Sequence, residues 1–432
     1  MDLSREQQTR EAVLQLFCDP PTTRCRLLEE LSRGEWARLL IWLDTSGLAL
    51  YFLDRVEQLR LTRLLPLPVL ARLQKNLADN TVRMRSLMAE SIAIHREFEL
   101  ANVSHVLLKG FSLCPHSVPR PELRSQLDLD FLVAEKSMPD ARSIVEHRGY
   151  RLRAVSGKSW EFKTDCIPSD SLMDLYKNVP FRSVELHAEV VAAGQVSRLA
   201  SPELRLMDGI GLPVLPPADL FLGQGMHLFK HVCSEFFRPA HLLEFRRHVV
   251  ARRFDSAFWA AVRSRAEASP RACVSLGVVT LLISRTMGDF APEAFTSWTV
   301  GRLPAPIRLW IELYGTRAVL AGFPGSKMYL FLEREIDSAG VPAKRSLRRA
   351  LLPLKLPPVI AKATTHETAW SRFLRYRMQM RFILMRLRFH AVEGLRFGLE
   401  QRRWRRMRAD AMVPARAASP TQQSNDNSLT AA

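Results

Sequence analysis

Two carboxylates alternate with large apolar residues in the segment 127–133, Leu-Asp-Leu-Asp-Phe-Leu-Val. The apolar positions predict a buried β-strand. Residues two apart on a strand project from the same face, so Asp128 and Asp130 are expected to lie side by side. Such a pair resists burial unless a cation compensates its charge. Mg²⁺ is commonly held by one or two carboxylates plus substrate phosphates, so the pair indicates phosphoryl or nucleotidyl transfer. The structural alternative is an exposed acidic pair bridged to Arg124.

Further motif pieces surround this strand in a fixed order. Lys109-Gly110 ends an apolar run, Arg124 stands shortly before the aspartates, Gly149-Tyr150 ends a predicted helix, and Glu185-Leu186-His187 lies in a later alternating run. Over about residues 70–250, this ordered set resembles the bacterial family of uncharacterised nucleotidyltransferases, within the polymerase-β-like nucleotidyltransferase superfamily. The resemblance implies an α+β fold in which a small mixed β-sheet, the polymerase-β-like palm, is flanked by N- and C-terminal helical subdomains.

The same resemblance implies an activity and a set of site residues. The protein would transfer a nucleoside monophosphate from an NTP to an acceptor, releasing pyrophosphate, with Mg²⁺ or Mn²⁺ as the cofactor. Asp128, Asp130 and Glu185 would be the metal ligands and catalytic residues, with Glu185 acting as or assisting the base. Five residues are assigned to nucleotide binding: Lys109, Gly110, Ser112, Arg124 and His187. The acceptor stays open among a protein, a sugar, a small metabolite, a peptide and RNA.

The sequence departs from the family pattern at three positions. Phe111 follows Gly110 where a small residue is usual, Glu185 replaces an Asp, and Ala188 replaces a Trp. Glu189 shares a strand face with Glu185 and is the alternative third acid. These departures keep open a second hypothesis, a catalytically inactive relative that serves as a binding or scaffold protein. Retained binding of Mg²⁺ and NTP would separate the two.

A pair of histidines lies further along the chain. His227 and His231 are four residues apart in a predicted helix and therefore share one face. That spacing suits zinc, but the sequence identifies no further ligand, and His241 and Glu244 are only nearby candidates. A wall of the substrate cleft or a structural pair is the favoured interpretation.

The positive charge of the chain is concentrated near its C-terminus. The net charge is +18, and residues 344–408 hold 18 of the 62 Lys and Arg residues but only three of the 44 acids. A basic helix with interspersed apolar residues is typical of contact with an anionic membrane surface, RNA or an acidic partner. A helix that packs on the body with Arg in solvent is the plainer alternative for residues 365–408.

The organisation along the chain is predicted from periodicity and from Pro and Gly punctuation. Five regions are expected: an N-terminal helical subdomain (1–100), the nucleotidyltransferase core (101–198), a helical subdomain (199–340), a basic linker with an amphipathic helix (341–408) and a disordered tail (409–432). Scattered cysteines and a polar N-terminus predict a cytoplasmic protein, with peripheral membrane contact as an extension of the basic-helix hypothesis.

Overall fold

The computed structural model describes residues 3–166, 171–180, 182–191, 197–338, 347–351 and 368–412. Helices form the N-terminal part, as the apolar periodicity predicts. They are α1 (Arg5–Gln15), α2 (Arg33–Ser46), α3 (Ala49–Gln58) and α4 (Leu67–Leu100). Side-chain oxygens of Ser4 and Ser32 cap α1 and α2, each in a capping box, which satisfies backbone N–H groups that would otherwise be unpaired.

One mixed sheet contains all seven of the strands in the described residues. The strands are β1 (His105–Leu108), β2 (Asp128–Ala134), β3 (Tyr150–Ser156), β4 (Ser159–Thr164), β5 (Ser183–Glu189), β6 (Glu203–Met207) and β7 (Ile210–Val214). Their order in the sheet is β3-β4-β5-β2-β1-β7-β6. The pairs β2–β5 and β1–β7 are parallel, and the other neighbours are antiparallel. Helix α5 (Met138–His147) follows β2. The architecture confirms the expected α+β class.

The two faces of β2 have different roles. Leu129, Phe131 and Val133 belong to a core that also contains residues of α4 and α5. The ring of Phe131 meets Phe98 of α4 edge to face, with 5.5 Å between centroids, and burial of such a ring stabilises the fold by about 1.5–3 kcal/mol. The aspartates therefore project from the opposite face, away from this core. Because β2 is central and packed on one side, their position is fixed by a rigid element.

Three strands of the sheet were not predicted from the sequence. Strand β3 carries two arginines and is largely exposed, so it lacks the apolar run used to recognise strands. Residues 203–214 fall in the region assigned to a helical subdomain (199–340), and the sequence predicts no strand there, but β6 and β7 form a hairpin. Its turn is Asp208-Gly209, both with positive φ, and Asp-Gly is a strong hairpin signal. The predicted core boundary at residue 198 falls before these two strands of the same sheet.

Helices dominate again after the hairpin. The longer ones are α6 (Pro217–Val232), α7 (Pro239–Ala251), α8 (Ser256–Glu267) and α9 (Pro270–Met287). Shorter helices follow: α10 (Glu293–Thr296), α11 (Ala305–Trp310), α12 (Thr316–Val319), α13 (Tyr329–Ser338) and α14 (Leu347–Leu351). Apolar periodicity and Pro punctuation predict helices from Pro216-Pro217 through His231, over about 239–252 and over about 270–287, and the bounds of α6, α7 and α9 agree with them.

The chain's last described helix, α15 (Ala369–Met412), is 44 residues long. Its second half packs on the body, where Phe397 stacks on Phe331 with 4.4 Å between centroids and Trp404 lies beside the same ring. Its first half leaves Trp370, Phe373 and other apolar side chains exposed. Residues 365–367 of the predicted helix and the predicted tail from 413 onward lie outside the described residues. Within the described ranges, none of the helices combines the length and hydropathy needed to cross a bilayer.

Candidate active site

Asp130 is the centre of the polar groups on the open face of the sheet. The parallel pairing of β2 with β5 places it directly opposite Glu185. Its Oδ1 atom accepts hydrogen bonds from Nζ of Lys109 at 2.8 Å and from Nε2 of His187 at 3.0 Å. The same His187 nitrogen lies 3.4 Å from Oε2 of Glu185. One ligand atom each of Asp130, Glu185 and His187 lie within 4.8 Å of one another. Sheet register therefore brings together residues that are 57 positions apart.

These contacts shift the pKa values of Asp130 and His187 in opposite directions. Burial alone would raise the pKa of Asp130, but hydrogen bonds from His187 and Lys109 outweigh it and lower the pKa to about 2. Burial likewise opposes protonation of His187, yet its hydrogen bonds to Asp130 and Glu185 raise the pKa of the imidazole above its usual value. Lys109, together with His187 when its imidazole is protonated, supplies the positive charge that two neighbouring carboxylates require.

Asp128 is in a different electrostatic environment. Burial first, and then the negative charge of Asp130, raise the pKa of its carboxyl group to about 6, while Lys109 and Arg124 act in the opposite direction. Within the described part of the chain, no side chain forms a hydrogen bond or an ion pair with this carboxylate. Its backbone carbonyl accepts a hydrogen bond from Nε2 of Gln126 at 2.6 Å, which holds the start of β2 in place. Asp128 is therefore a fixed, largely uncompensated carboxylate.

The structure gives different positions to the residues before β2 that the sequence assigns to nucleotide binding. Lys109 lies in the cluster, whereas Ser112 is fully buried and its hydroxyl donates to the carbonyl of Lys109 at 2.8 Å. Gly110 has φ +48°, and a Cβ there would overlap the side chain of Gln126. The structure thus gives Gly110 and Ser112 local structural roles, and their contact with a nucleotide remains a prediction.

Arg124 makes an ion pair that the sequence did not suggest. Neither aspartate is its partner: Nε lies 3.1 Å from Oε1 of Glu244 on α7. The same oxygen accepts a hydrogen bond from the hydroxyl of Tyr51 at 2.9 Å. Because Glu244 is 3% exposed, this network anchors Arg124 between α3, α7 and the site. The guanidinium also lines both of the cavities described next, and its role toward a phosphate stays a prediction.

Two adjoining cavities open at the cluster. The first, of about 300 Å³, has the two aspartates on one wall and is also lined by Lys109, Arg124 and Arg238. The second, of about 330 Å³, lies on the His187 side. Six leucines line it, together with four Lys and Arg side chains: Lys109, Arg124, Lys158 and Arg198. The two cavities therefore present cationic and apolar surface, which suits an anionic ligand with an apolar part. Sequence reasoning missed Lys158, Arg198 and Arg238, because isolated basic residues in loops carry no motif.

The histidines of α6 face the same space. His227, His231 and His241 all line the cavity that contains the aspartates. The third histidine comes from the first turn of α7, and one ring nitrogen of each lies within 4.8 Å of those of the other two. The position of the pair on the wall of the cleft agrees with the favoured interpretation. The association with His241 could not be inferred from helical spacing.

Glu189, the alternative third acid, lies at the far end of β5. It pairs with Ala134 at the end of β2. Its carboxylate accepts hydrogen bonds from the backbone N–H of Arg198 at 2.9 Å and from the hydroxyl of Ser197 at 2.5 Å. These contacts give Glu189 a structural role and favour Glu185 as the third acid.

Comparison with known proteins identifies the family of the chain. No curated protein matches the sequence. The family model for uncharacterised nucleotidyltransferases matches residues 32–287, which is more than half of the chain and includes the whole sheet together with helices α2–α9. The matched segment contains every carboxylate, lysine and histidine of the candidate site. The chain therefore belongs to the family of uncharacterised nucleotidyltransferases.

Proposed function

We propose that this protein transfers a nucleoside monophosphate from an NTP to an acceptor and releases pyrophosphate. The observation that carries the proposal is the placement of three carboxylates on one face of the sheet, beside the cavity that Asp128 and Asp130 line. Asp130 and Glu185 are paired across parallel strands, and Asp128 projects from the same face of β2. The cavity beyond them presents the cationic side chains of Lys109, Arg124 and Arg238. Carboxylates facing fixed cations across a cavity suit a metal–triphosphate complex.

The residues present fit a hard divalent cation. Asp128 is half-buried beside Asp130, its pKa is raised, and among the described residues no side chain forms a hydrogen bond or an ion pair with its carboxylate, so Lys109 and Arg124 compensate its charge only in part. Carboxylate oxygens are the ligands that Mg²⁺ prefers. Asp128, Asp130 and Glu185 would hold Mg²⁺ or Mn²⁺. When bound, the metal would neutralise charge that develops on the phosphates and activate the acceptor hydroxyl.

The neighbouring side chains have separate parts in this proposal. Lys109 and His187 both contact Oδ1 of Asp130, so Oδ2 is the oxygen that would bind the metal, and Lys109 would contact the triphosphate as a point charge. Arg124, held by Glu244, is suited to a planar, bidentate contact with a phosphate. Glu185 would take the proton of the acceptor hydroxyl or assist its removal. The leucine-lined cavity offers an apolar surface beside the reacting groups.

The test is transfer of label from each NTP labelled at its α-phosphate, with Mg²⁺ or Mn²⁺ and with cell extract as the source of acceptor. We expect the wild type to label one class of acceptor and to use one NTP preferentially. The double variant Asp128→Ala/Asp130→Ala is expected to transfer no label. If neither protein transfers label and calorimetry detects no metal-dependent binding of NTP to the wild type, the catalytic proposal fails and the inactive binding or scaffold protein is favoured.

The first half of α15 supports a second, separate proposal of contact with an anionic membrane surface. Trp370, Phe373, Tyr376 and Leu384 are exposed between arginines of the same helix. Apolar side chains and arginines on one exposed helix can insert among lipid head groups and attract anionic ones. We expect the full chain, but not a chain truncated before residue 365, to sediment with vesicles that contain anionic lipid. Equal sedimentation of both chains would contradict this assignment, and binding to RNA or an acidic protein alone would favour those partners instead.

A further inference from the structure

The histidine cluster at the cleft is built from two helices. His227 and His231 lie one turn apart on α6, and their rings contact each other with 4.5 Å between centroids. His241, from the first turn of α7, lies 5.0 Å from His231 and 5.7 Å from His227, again between centroids. The three rings therefore converge on one point rather than pairing along one helix.

The hydrogen bonds of the cluster indicate which ring nitrogens could bind a metal ion. Nδ1 of His231 lies 3.2 Å from the carbonyl oxygen of Phe236, which can accept its proton only if Nδ1 is the protonated nitrogen. That tautomer leaves a lone pair on Nε2, which in the metal-free protein accepts a hydrogen bond from Nε2 of His227 at 3.1 Å. A bound metal ion would take the place of the shared proton. A carbonyl that fixes the tautomer from behind is the usual outer-shell partner of a histidine ligand to a metal.

His241 contributes an unsatisfied atom. Its Nδ1 is buried and has no hydrogen-bond partner among the described residues. A buried polar atom without a partner costs about 1–3 kcal/mol, so its persistence calls for an explanation such as a bound ion. Burial lowers the pKa of all three imidazoles, that of His227 to about 3. They are neutral near pH 7, which is the state in which histidine binds metals.

The donor atoms of the cluster and the adjoining cavity indicate which metal ions could bind there. No carboxylate belongs to the three-residue group, and a set of imidazoles alone suits Zn²⁺ and related transition metals rather than Mg²⁺, which prefers oxygen. The cluster faces the cavity of about 300 Å³ that also contains Asp128 and Asp130. Three protein ligands that face an open cavity leave a coordination position free, as in catalytic zinc sites.

We propose that His227, His231 and His241 bind one divalent transition-metal ion of the zinc class, on the wall of the cavity that Asp128 and Asp130 also line. The free coordination position of this ion points into the cavity that receives the nucleotide or the acceptor. The site is distinct from the carboxylate site for Mg²⁺. Its existence does not depend on the nucleotidyl transfer proposed above, so the two proposals can fail independently.

The probe is Co²⁺ added to the purified, metal-stripped full chain, followed by visible absorption and by calorimetry. We expect one equivalent to bind with the intense visible bands of Co²⁺ in a low-coordinate site, and Zn²⁺ to displace it. The variants His227→Gln and His231→Gln are expected to lose affinity by more than the 10- to 100-fold that removal of an outer-shell partner typically costs. Circular dichroism would show that each variant is folded.

Two control variants distinguish this site from the second histidine pair and from the carboxylate site. His95 and His105 form a second buried histidine pair, with 3.0 Å between ring nitrogens, so His95→Gln is the control and is expected to keep the Co²⁺ spectrum. The double variant Asp128→Asn/Asp130→Asn is also expected to keep it. Absence of the bands in the folded wild type, their loss in either control, or their retention in folded His227→Gln and His231→Gln would overturn the proposal.

Discussion

Replacement of Asp130 by Asn is expected to lower kcat for nucleotidyl transfer by about 10³-fold or more. Asp130 is the carboxylate that Lys109, His187 and Glu185 all surround. Asn keeps the shape and one acceptor oxygen but removes the negative charge, so the substitution leaves half-buried Lys109 beside a neutral group and removes a metal ligand. A bound metal contributes several kcal/mol to stabilisation of the transition state, and each 1.36 kcal/mol corresponds to about a factor of ten in rate.

The measurement is the rate of label transfer at saturating NTP, with three variants compared at equal folded concentration. Glu185→Gln, which removes the partner acid on β5, is expected to lose activity on the same scale as Asp130→Asn. Glu189 lies on the same strand face as Glu185, but its carboxylate is bound by Ser197 and Arg198. The rate of label transfer by Glu189→Gln is therefore expected to stay within about threefold of the wild-type rate (about 0.6 kcal/mol). Loss of activity in Glu189→Gln with full activity in Glu185→Gln would contradict the assignment of the third acid.

The side-by-side placement of the aspartates was predictable because it depends only on local geometry. A strand alternates its side chains whatever the rest of the fold does, and the apolar residues between Asp128 and Asp130 indicate which face enters the core. Long helices with regular periodicity, such as α4 and α9, were predictable for the same reason. The α+β class followed from the order of such segments together with the family resemblance.

Contacts that depend on the packing of distant elements could not be predicted. Nothing in the sequence around Arg124 indicates that its partner is Glu244, which is 120 residues away and on another helix. His241 joins His227 and His231 only because α7 begins beside α6. The ion pair between Lys109 and Asp130 likewise depends on the antiparallel register of β1 and β2. Each of these pairings is set by tertiary structure, for which one sequence carries no periodic signal.

Replacement of Asp128 by Asn is expected to stabilise the metal-free protein at pH 7. In the folded chain the pKa of this carboxyl group is raised from 3.8 to about 6, chiefly by burial and then by Asp130. The folded state therefore disfavours the charged form relative to the unfolded chain, in which the group has its ordinary pKa. Two pKa units correspond to an upper limit of about 3 kcal/mol, and we expect a gain of about 1–3 kcal/mol in the free energy of unfolding.

Because the pKa of Asp128 is raised in the folded state, the difference in stability between the wild type and Asp128→Asn depends on pH. Above about pH 6, wild-type Asp128 is charged in both states, and the full penalty falls on the folded state. As the pH falls from 6 toward 4, Asp128 takes up a proton in the folded state before it does so in the unfolded chain, so the wild type recovers stability relative to the variant. Urea unfolding of both proteins with a chelator present, at pH 7 and pH 4.5, measures the difference, with exposed Asp289→Asn as the control.

Mg²⁺ is expected to reverse the order of stability at pH 7, because a ligand that binds only the folded wild type stabilises it by mass action. Asn in place of Asp128 removes one ligand and the charge that attracts the ion. Under this hypothesis the carboxylate that destabilises the metal-free protein is the one that binds the metal, so the cost to stability and the function arise from the same group. A metal-free variant no more stable than the wild type at pH 7, or a stability difference that grows on acidification, would contradict this account of Asp128.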